Sequence, residues 1–279
     1  MSTAKGAVVG RSQPRLLQRL ARVAGHIALP VYAVLALAYL FAPIAIIVLF
    51  SFNDVRGRFN FVWQGFTLNH WLDPFKIPAL TDAMILSLKI AAVSTLIATA
   101  LGTLIALALI RYRFVGIAAV SLLILLPLTT PEVVMGSSLL TLFLNQGIPL
   151  GFNTIIFAHV MFNISFVVVV VRARLRGFDL TLEKAAMDLG ANEWRTFRKV
   201  TLPLIFPGIL AAALLAFALS MDDFIITLFT SGQEVTFPLW VWGAARTAVP
   251  PQINVIGTLI LVTTVTLIGA SLLLQQRRT

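Results

Sequence analysis

The chain has 279 residues, of which 59% are hydrophobic and only 11% charged, with a formal charge of +10 and no cysteine. Soluble domains carry about 25% charged and about 45–50% apolar residues, so this composition excludes an ordinary soluble fold and points to a membrane protein. The missing cysteines remove disulfides, thiolate catalysis and Cys-ligated zinc. The basic excess sits at the ends of apolar runs and not on one polar face, which favours membrane topology over nucleic-acid binding.

A basic tail over residues 1–26 precedes the first uncharged run, Ile27 to Phe50. A bilayer core about 30 Å thick takes roughly 20 helical residues. This run is too long for a signal-peptide core and lacks a small-residue cleavage site, so it predicts a retained anchor. The next segment carries Phe52, Phe59, Phe61, Trp63, Phe66, Trp71 and Phe75. Such rings suit an interfacial anchor or a docking surface for an outer partner. Further spans are predicted over Ile90–Ile110, Val115–Leu144 with Glu132 inside it, and Leu150–Val171. The last two cover Leu204–Thr230, which contains Asp222 and Asp223, and Val255–Leu274, ahead of a short tail over 275–279. A loop from Ser231 to Pro251, with Trp240 and Trp242, joins them.

These runs are continuously apolar instead of alternating, which excludes a spanning β-barrel. The prediction is an all-α membrane protein with six transmembrane helices in one domain, 27–274. The tails and the even-numbered connections hold 16 Lys and Arg, against four in the opposite loops. That bias places both termini in the cytoplasm. Gly208, Ala212, Ala216 and Ser220, and likewise Ala98, Gly102 and Ala106, recur every four residues and predict close helix packing. His26, His70 and His159 read as isolated, with no metal-ligand spacing.

The fourth connection, 173–203, is unlike a plain tether. Leu182, Ala185, Ala186 and Leu189 fall at helical spacing, Gly190 suits the left-handed residue past a helix end, and Asn192 suits an N-cap. Trp194 and Phe197 beside Arg195, Arg198 and Lys199 could meet anionic headgroups, and Pro203 is expected to end this second helix. On the residues alone, the element is either a docking surface or a surface helix linking two spans.

This loop resembles the EAA motif of permease subunits in bacterial ABC importers, E-A-A, three residues, G, and later I-x-L-P. Ala185, Ala186, Gly190, Leu202 and Pro203 match, with Val200 in the Ile position; Lys184 occupies the motif's Glu position and Glu183 stands just before it. SFNDVRGRFNFVWQGFTLNHW, RYRF, TPEVVMGSSLL, RARLRGFDLTLEKAAMDLGA and LSMDDFIITLFTSG extend the resemblance to spermidine/putrescine importer permeases, from about Leu40 onward. The resemblance implies a type I ABC importer permease fold in the bacterial inner membrane. It also implies a second permease subunit, a dimer of ATP-binding subunits carrying ATP-Mg, and a periplasmic substrate-binding protein. The loop, 181–203, would be the coupling element, with Glu183, Lys184, Ala185, Ala186, Asp188, Gly190 and Ala191 meeting the ATPase.

Charges at bilayer depth cost about 2.5–3.5 kcal/mol on insertion scales and usually face a cavity or partner. Glu132, Asp222 and Asp223 therefore suit either a path for a polycation or a structural role, such as pairing with Lys89 or stabilising a helix junction. No G-x-x-x-x-G-K-[ST] phosphate loop occurs, so ATP-Mg would be held by another subunit and this chain would hold no cofactor. Three readings follow: a permease subunit for polyamines or another small solute such as thiamine, iron or phosphonate; a secondary cation transporter; and an intramembrane enzyme. The docking-like loop argues against the second. The absence of a nucleophile–base or metal constellation argues against the third.

Overall fold

The computed structural model describes residues 15–276 apart from Phe178 and Leu180. The predicted tails beyond these limits, 1–14 and 277–279, lie outside the described residues. Twelve α-helices are present: α1 Arg15–Phe50, α2 Asn69–Leu72, α3 Pro78–Arg111, α4 Ile117–Thr129, α5 Glu132–Asn145, α6 Phe152–Arg176, α7 Thr181–Asp188, α8 Glu193–Thr196, α9 Leu202–Asp222, α10 Ile225–Thr230, α11 Phe237–Thr247 and α12 Pro251–Gln276. Among the described residues the only β pairing is an isolated bridge between Asn53 and Phe66. Among the described residues, four stretches are long and apolar enough to cross a bilayer: Ala28–Phe50, Pro78–Arg111, Phe152–Arg176 and Glu193–Asp222. Counting the α4–α5 pair as one span makes five.

Both acid-containing runs differ from the continuous spans predicted for them. The Val115–Leu144 run breaks after Thr129, and its halves are bent by 107°. Pro131 is the cause, because its ring disfavours helical backbone at the preceding residue. Thr130 is accordingly extended, with ψ 130°. The Leu204–Thr230 run breaks at Asp223, whose ψ of 121° takes the chain out of α9.

Pro203 behaves in the opposite way and does not end the helix. A π-helical stretch over Phe197–Thr201 joins α8 to α9, and the Leu202 amide donates to the Phe197 carbonyl. Widening the turn removes the demand for a hydrogen bond that proline cannot donate.

The chain forms two compact units. The first comprises the chain up to Pro74 and from Pro250 onward. In it α1 packs on α12, and the aromatic segment after α1 is ordered from within. Asn53 is fully buried. Its amide donates to the Asn60 side chain and the Val62 carbonyl, both at 2.7 Å, and it accepts from the Gln64 amide at 2.7 Å. Phe52 stacks on Phe66 and on Trp71, with ring centroids 5.6 and 5.2 Å apart.

The second unit runs from Phe75 to Val249. Its main core joins α3, α6 and α9 through Ala106, Leu109, Val167, Val171, Ile205 and Ala216. A second cluster joins α5, α6 and α10 through Met135, Leu139, Phe162 and Ile226. Both small-residue stripes are buried, as their spacing predicts. At Gly102 a Cβ would lie 2.6 Å from Val167 Cγ1 and 3.3 Å from the Ile164 carbonyl oxygen. At Gly208 it would lie 2.6 Å from Arg174 Cγ.

Gly102→Ala should therefore lower stability by about 1–3 kcal/mol, the usual cost of overpacking. Gly243→Ala in α11, where a new Cβ meets nothing within 4 Å, should be neutral or slightly stabilising. Thermal unfolding of the detergent-solubilised protein compares the two.

Candidate functional site

The helix break at Asp223 lies at membrane depth in the predicted topology, where open backbone amides have no water to satisfy them. Asp223 supplies the acceptors. Its Oδ2 accepts from the Thr227 amide and the Thr227 hydroxyl, both at 2.7 Å, so the carboxylate closes the first turn of α10. The side chain is only 5% exposed, and His159 Nε2 from α6 lies 3.3 Å from the same oxygen.

His159 is itself buried and bonded through both ring nitrogens. Nε2 lies 2.9 Å from Thr227 Oγ1, and Nδ1 lies 2.6 Å from Ser220 Oγ. Because the Thr227 hydroxyl proton goes to Asp223, Thr227 accepts from Nε2–H, which fixes that nitrogen as a donor. Ser220 continues the chain to Ser94 Oγ on α3 at 2.9 Å. One line of hydrogen bonds thus links α3, α9, α6 and α10. The histidine that reads as isolated in sequence is its central member. A histidine inside the otherwise uncharged Leu150–Val171 run was the available signal, since intramembrane ionisable groups are rarely idle.

Glu132 and the Asp222–Asp223 pair stand at the ends of helices in two elements that pack on one another, α5 and the α9–α10 break. Glu132 opens α5, on which α10 packs, and Gly136 one turn later lets the Phe229 ring approach. Glu132 and Asp222 are exposed in the isolated chain, whereas Asp223 faces inward to His159. Lys89 is not paired with any of the three; it lines a separate cavity of about 430 Å³ with Asp82, Gln233 and Glu234.

The loop between α6 and α9 forms the second region. Asp179 accepts from the Thr181 amide at 2.9 Å at the start of α7. That bond holds its carboxyl below the ordinary aspartate range. Gly190 takes φ +86°, as its position predicts. The Gly190 amide donates to Met187 and the Ala191 amide to Ala186, the paired bonds of a Schellman turn. Asn192 then caps α8 by accepting from the Arg195 amide at 2.8 Å.

Lys184, Ala185, Asp188 and Gly190 are exposed, and Ala186 and Ala191 are half-buried. Leu182 and Leu189 stand open at the same element, with Leu189 90% exposed. Glu183 points the other way. Its carboxylate pairs with Arg111 at the end of α3 and accepts from the Thr201 hydroxyl in the π-helical stretch. Arg111 also reaches Thr201 Oγ1 at 3.3 Å. Arg111 reads in sequence only as a topology signal; its pairing across 72 positions has no local signature.

Residues 98–278 match the family described as binding-protein-dependent transport system inner membrane component. The chain is 40% identical over 243 residues to the spermidine/putrescine transport system permease protein PotC of Escherichia coli strain K12, covering 87% of this chain and 91% of that one. It is 39% identical over 239 residues to the putrescine transport system permease protein PotI of the same strain, covering 83% and 84%. Among solved structures it resembles a chain of a bacterial ABC transporter involved in the import of the acidic polysaccharide alginate. That match has TM-score 0.68 and 15% identity, covering 95% of this chain and 99% of that one, and it shows the fold.

His159→Leu should destabilise the protein by about 1–3 kcal/mol, because it strips the Nε2–H donor from buried Asp223 and Thr227 and the Nδ1 acceptor from the Ser220 hydroxyl. His159→Gln should lose less, since its amide can still donate on the Thr227 side. Thermal unfolding in detergent measures both, and equal losses would contradict the network.

Proposed function

This chain belongs to the family of inner membrane components of binding-protein-dependent transport systems, and from that premise we propose that it is a permease subunit of an ATP-driven polyamine importer. The proposed arrangement has six spans with both termini in the cytoplasm of a bacterium. This chain pairs with a second permease subunit to enclose the path. A dimer of ATP-binding subunits carrying ATP-Mg docks beneath, and a periplasmic binding protein delivers the cargo. The observation that carries this reading is the exposed helix–glycine–helix element between α6 and α9, which ends in an apolar edge and is braced to the core on its other side.

In the proposed cycle, closure of the ATPase pair moves α7, and the Glu183–Arg111–Thr201 contact passes that movement to α3 and α9. Lys184, Ala185, Ala186, Asp188, Gly190 and Ala191 form the docking edge, with Leu182 and Leu189 beside them. Glu183 serves the same coupling from the inner side. Lys184 in the motif's acidic position places a cation at the contact, where it would meet a carboxylate of the ATPase.

The polyamine assignment rests on the two relatives named for spermidine and putrescine and on the intramembrane acids. A carboxylate offsets part of the hydration that each ammonium loses on entry. Asp222 and Glu132 are the proposed path residues. Asp223 shapes the path indirectly, by holding the break that carries Asp222. Binding must remain weak enough for release, which two dispersed acids allow and a closed cage would not.

Asp222→Asn should raise the half-saturating spermidine concentration about five- to tenfold, the loss of about 1–1.4 kcal/mol, while co-purification with the ATPase persists. Uptake into proteoliposomes measures it. Gly190→Pro cannot adopt the positive φ and should abolish ATPase association and ATP-dependent uptake together. Cargo movement by this chain in liposomes without any ATPase would overturn the reading in favour of a secondary transporter.

A further inference from the structure

We propose that the cavity between the C-terminal ends of α3 and α6 binds a phosphate group, supplied by the headgroup of an anionic phospholipid. The cavity has a volume of about 270 Å³ and brings Arg111, Arg172 and Arg176 to one wall. Arg172 and Arg176 stand four residues apart on α6, so they share a face and repel each other. Arg111 is engaged by Glu183. No carboxylate lies within 4.0 Å of Arg172 or Arg176 among the described residues, which leaves this wall with an uncompensated excess of two positive charges.

The decisive atom is Arg172 Nε, which is buried and has no hydrogen-bond acceptor. A guanidinium N–H removed from water without a partner costs about 1–3 kcal/mol or more, so a missing acceptor is the simplest account of it. The carbonyl ends of α3 and α6 attract these cations through their dipoles, yet none of them accepts from Nε. A phosphate can receive two parallel N–H bonds from one guanidinium and bridge to a second, which matches paired arginines better than a chloride or a single carboxylate would.

The surroundings indicate the source of the phosphate. Leu107, Ile110 and Leu175 also line it, so an apolar wall adjoins the guanidinium groups. That combination suits a headgroup with its glycerol and upper acyl chain. Basic pockets between helices at the cytoplasmic surface attract anionic lipids in this way. Glu183 lies in the same wall, so the headgroup would sit against the foot of α7. This inference requires membrane embedding but not polyamine as cargo, and it stands even where the cargo is different.

The test uses the full chain in nanodiscs of phosphatidylcholine mixed with phosphatidylglycerol, followed by native mass spectrometry of the released protein. The wild type should retain phosphatidylglycerol in preference to phosphatidylcholine, and the double variant Arg172→Gln with Arg176→Gln should retain about tenfold less. Arg113→Gln, outside the cavity, should match the wild type. Inorganic phosphate titrated into the wild type provides a second arm that needs no variant. Displacement of the lipid by phosphate supports the shared site, and phosphate adducts without lipid selectivity overturn the lipid as source. Equal retention by the double variant, or no anion retained at all, overturns the site. So does occupancy that arises only with the ATPase present, because it would assign the arginines to a protein carboxylate.

Discussion

A helix that breaks inside a bilayer exposes amides that no solvent can reach, and the second unit of this protein is organised by how one such break is resolved. Asp223 places its carboxylate on the open turn of α10. That solution creates a further difficulty, because a buried carboxylate needs more than the Ile226 and Thr227 amides and the Thr227 hydroxyl around it. His159 answers from α6, and Ser220 and Ser94 satisfy the far side of the ring. The network is therefore a consequence of the break. It ties α3, α6, α9 and α10 together.

The loop between α6 and α9 depends on the same core from the other end. α7 has few buried side chains of its own, so its position must be fixed by polar contacts. Glu183 does this by meeting Arg111 and Thr201 together. Thr201 is available because the π-helical stretch widens the backbone just before Pro203. The proline that looks like a helix stop is thus part of what holds the loop to the helix it feeds. α3 and α9 both pack on α6, so in the proposed cycle a displacement of α7 would reach the central core through two routes.

Much of this was legible from the residues alone, wherever the signal was local. Gly190 and Asn192 took the cap geometries that their types favour, and the four-residue spacing of Gly102 and Ala106 marked a buried face. The apolar runs marked helices but not their continuity. Hydropathy averages over the α4–α5 bend, because Pro131 and Glu132 are only two residues in a window of about twenty. His159 and Arg111 were illegible for a different reason. Their partners lie 61 and 72 positions away, and no periodicity links residues that meet only after the helices pack.

Separating the three acids by environment changes what the proposed path can do. An acid held between a histidine, a hydroxyl and two amides has little remaining capacity to attract a passing ammonium. Asp223 is in that position. Asp222 is adjacent in sequence but exposed, because one residue of extended backbone turns the pair to opposite sides. Glu132 reaches the same neighbourhood from the second broken span, brought there by the Gly136–Phe229 approach. The two helix breaks are therefore complementary. In the proposed path one presents Asp222 and the other presents Glu132, and both acids are exposed. A linear polycation spaces its ammonium groups along a flexible chain. In the proposed path, two separated acids on one subunit offset only part of such a charge, which leaves the rest to the proposed second permease subunit.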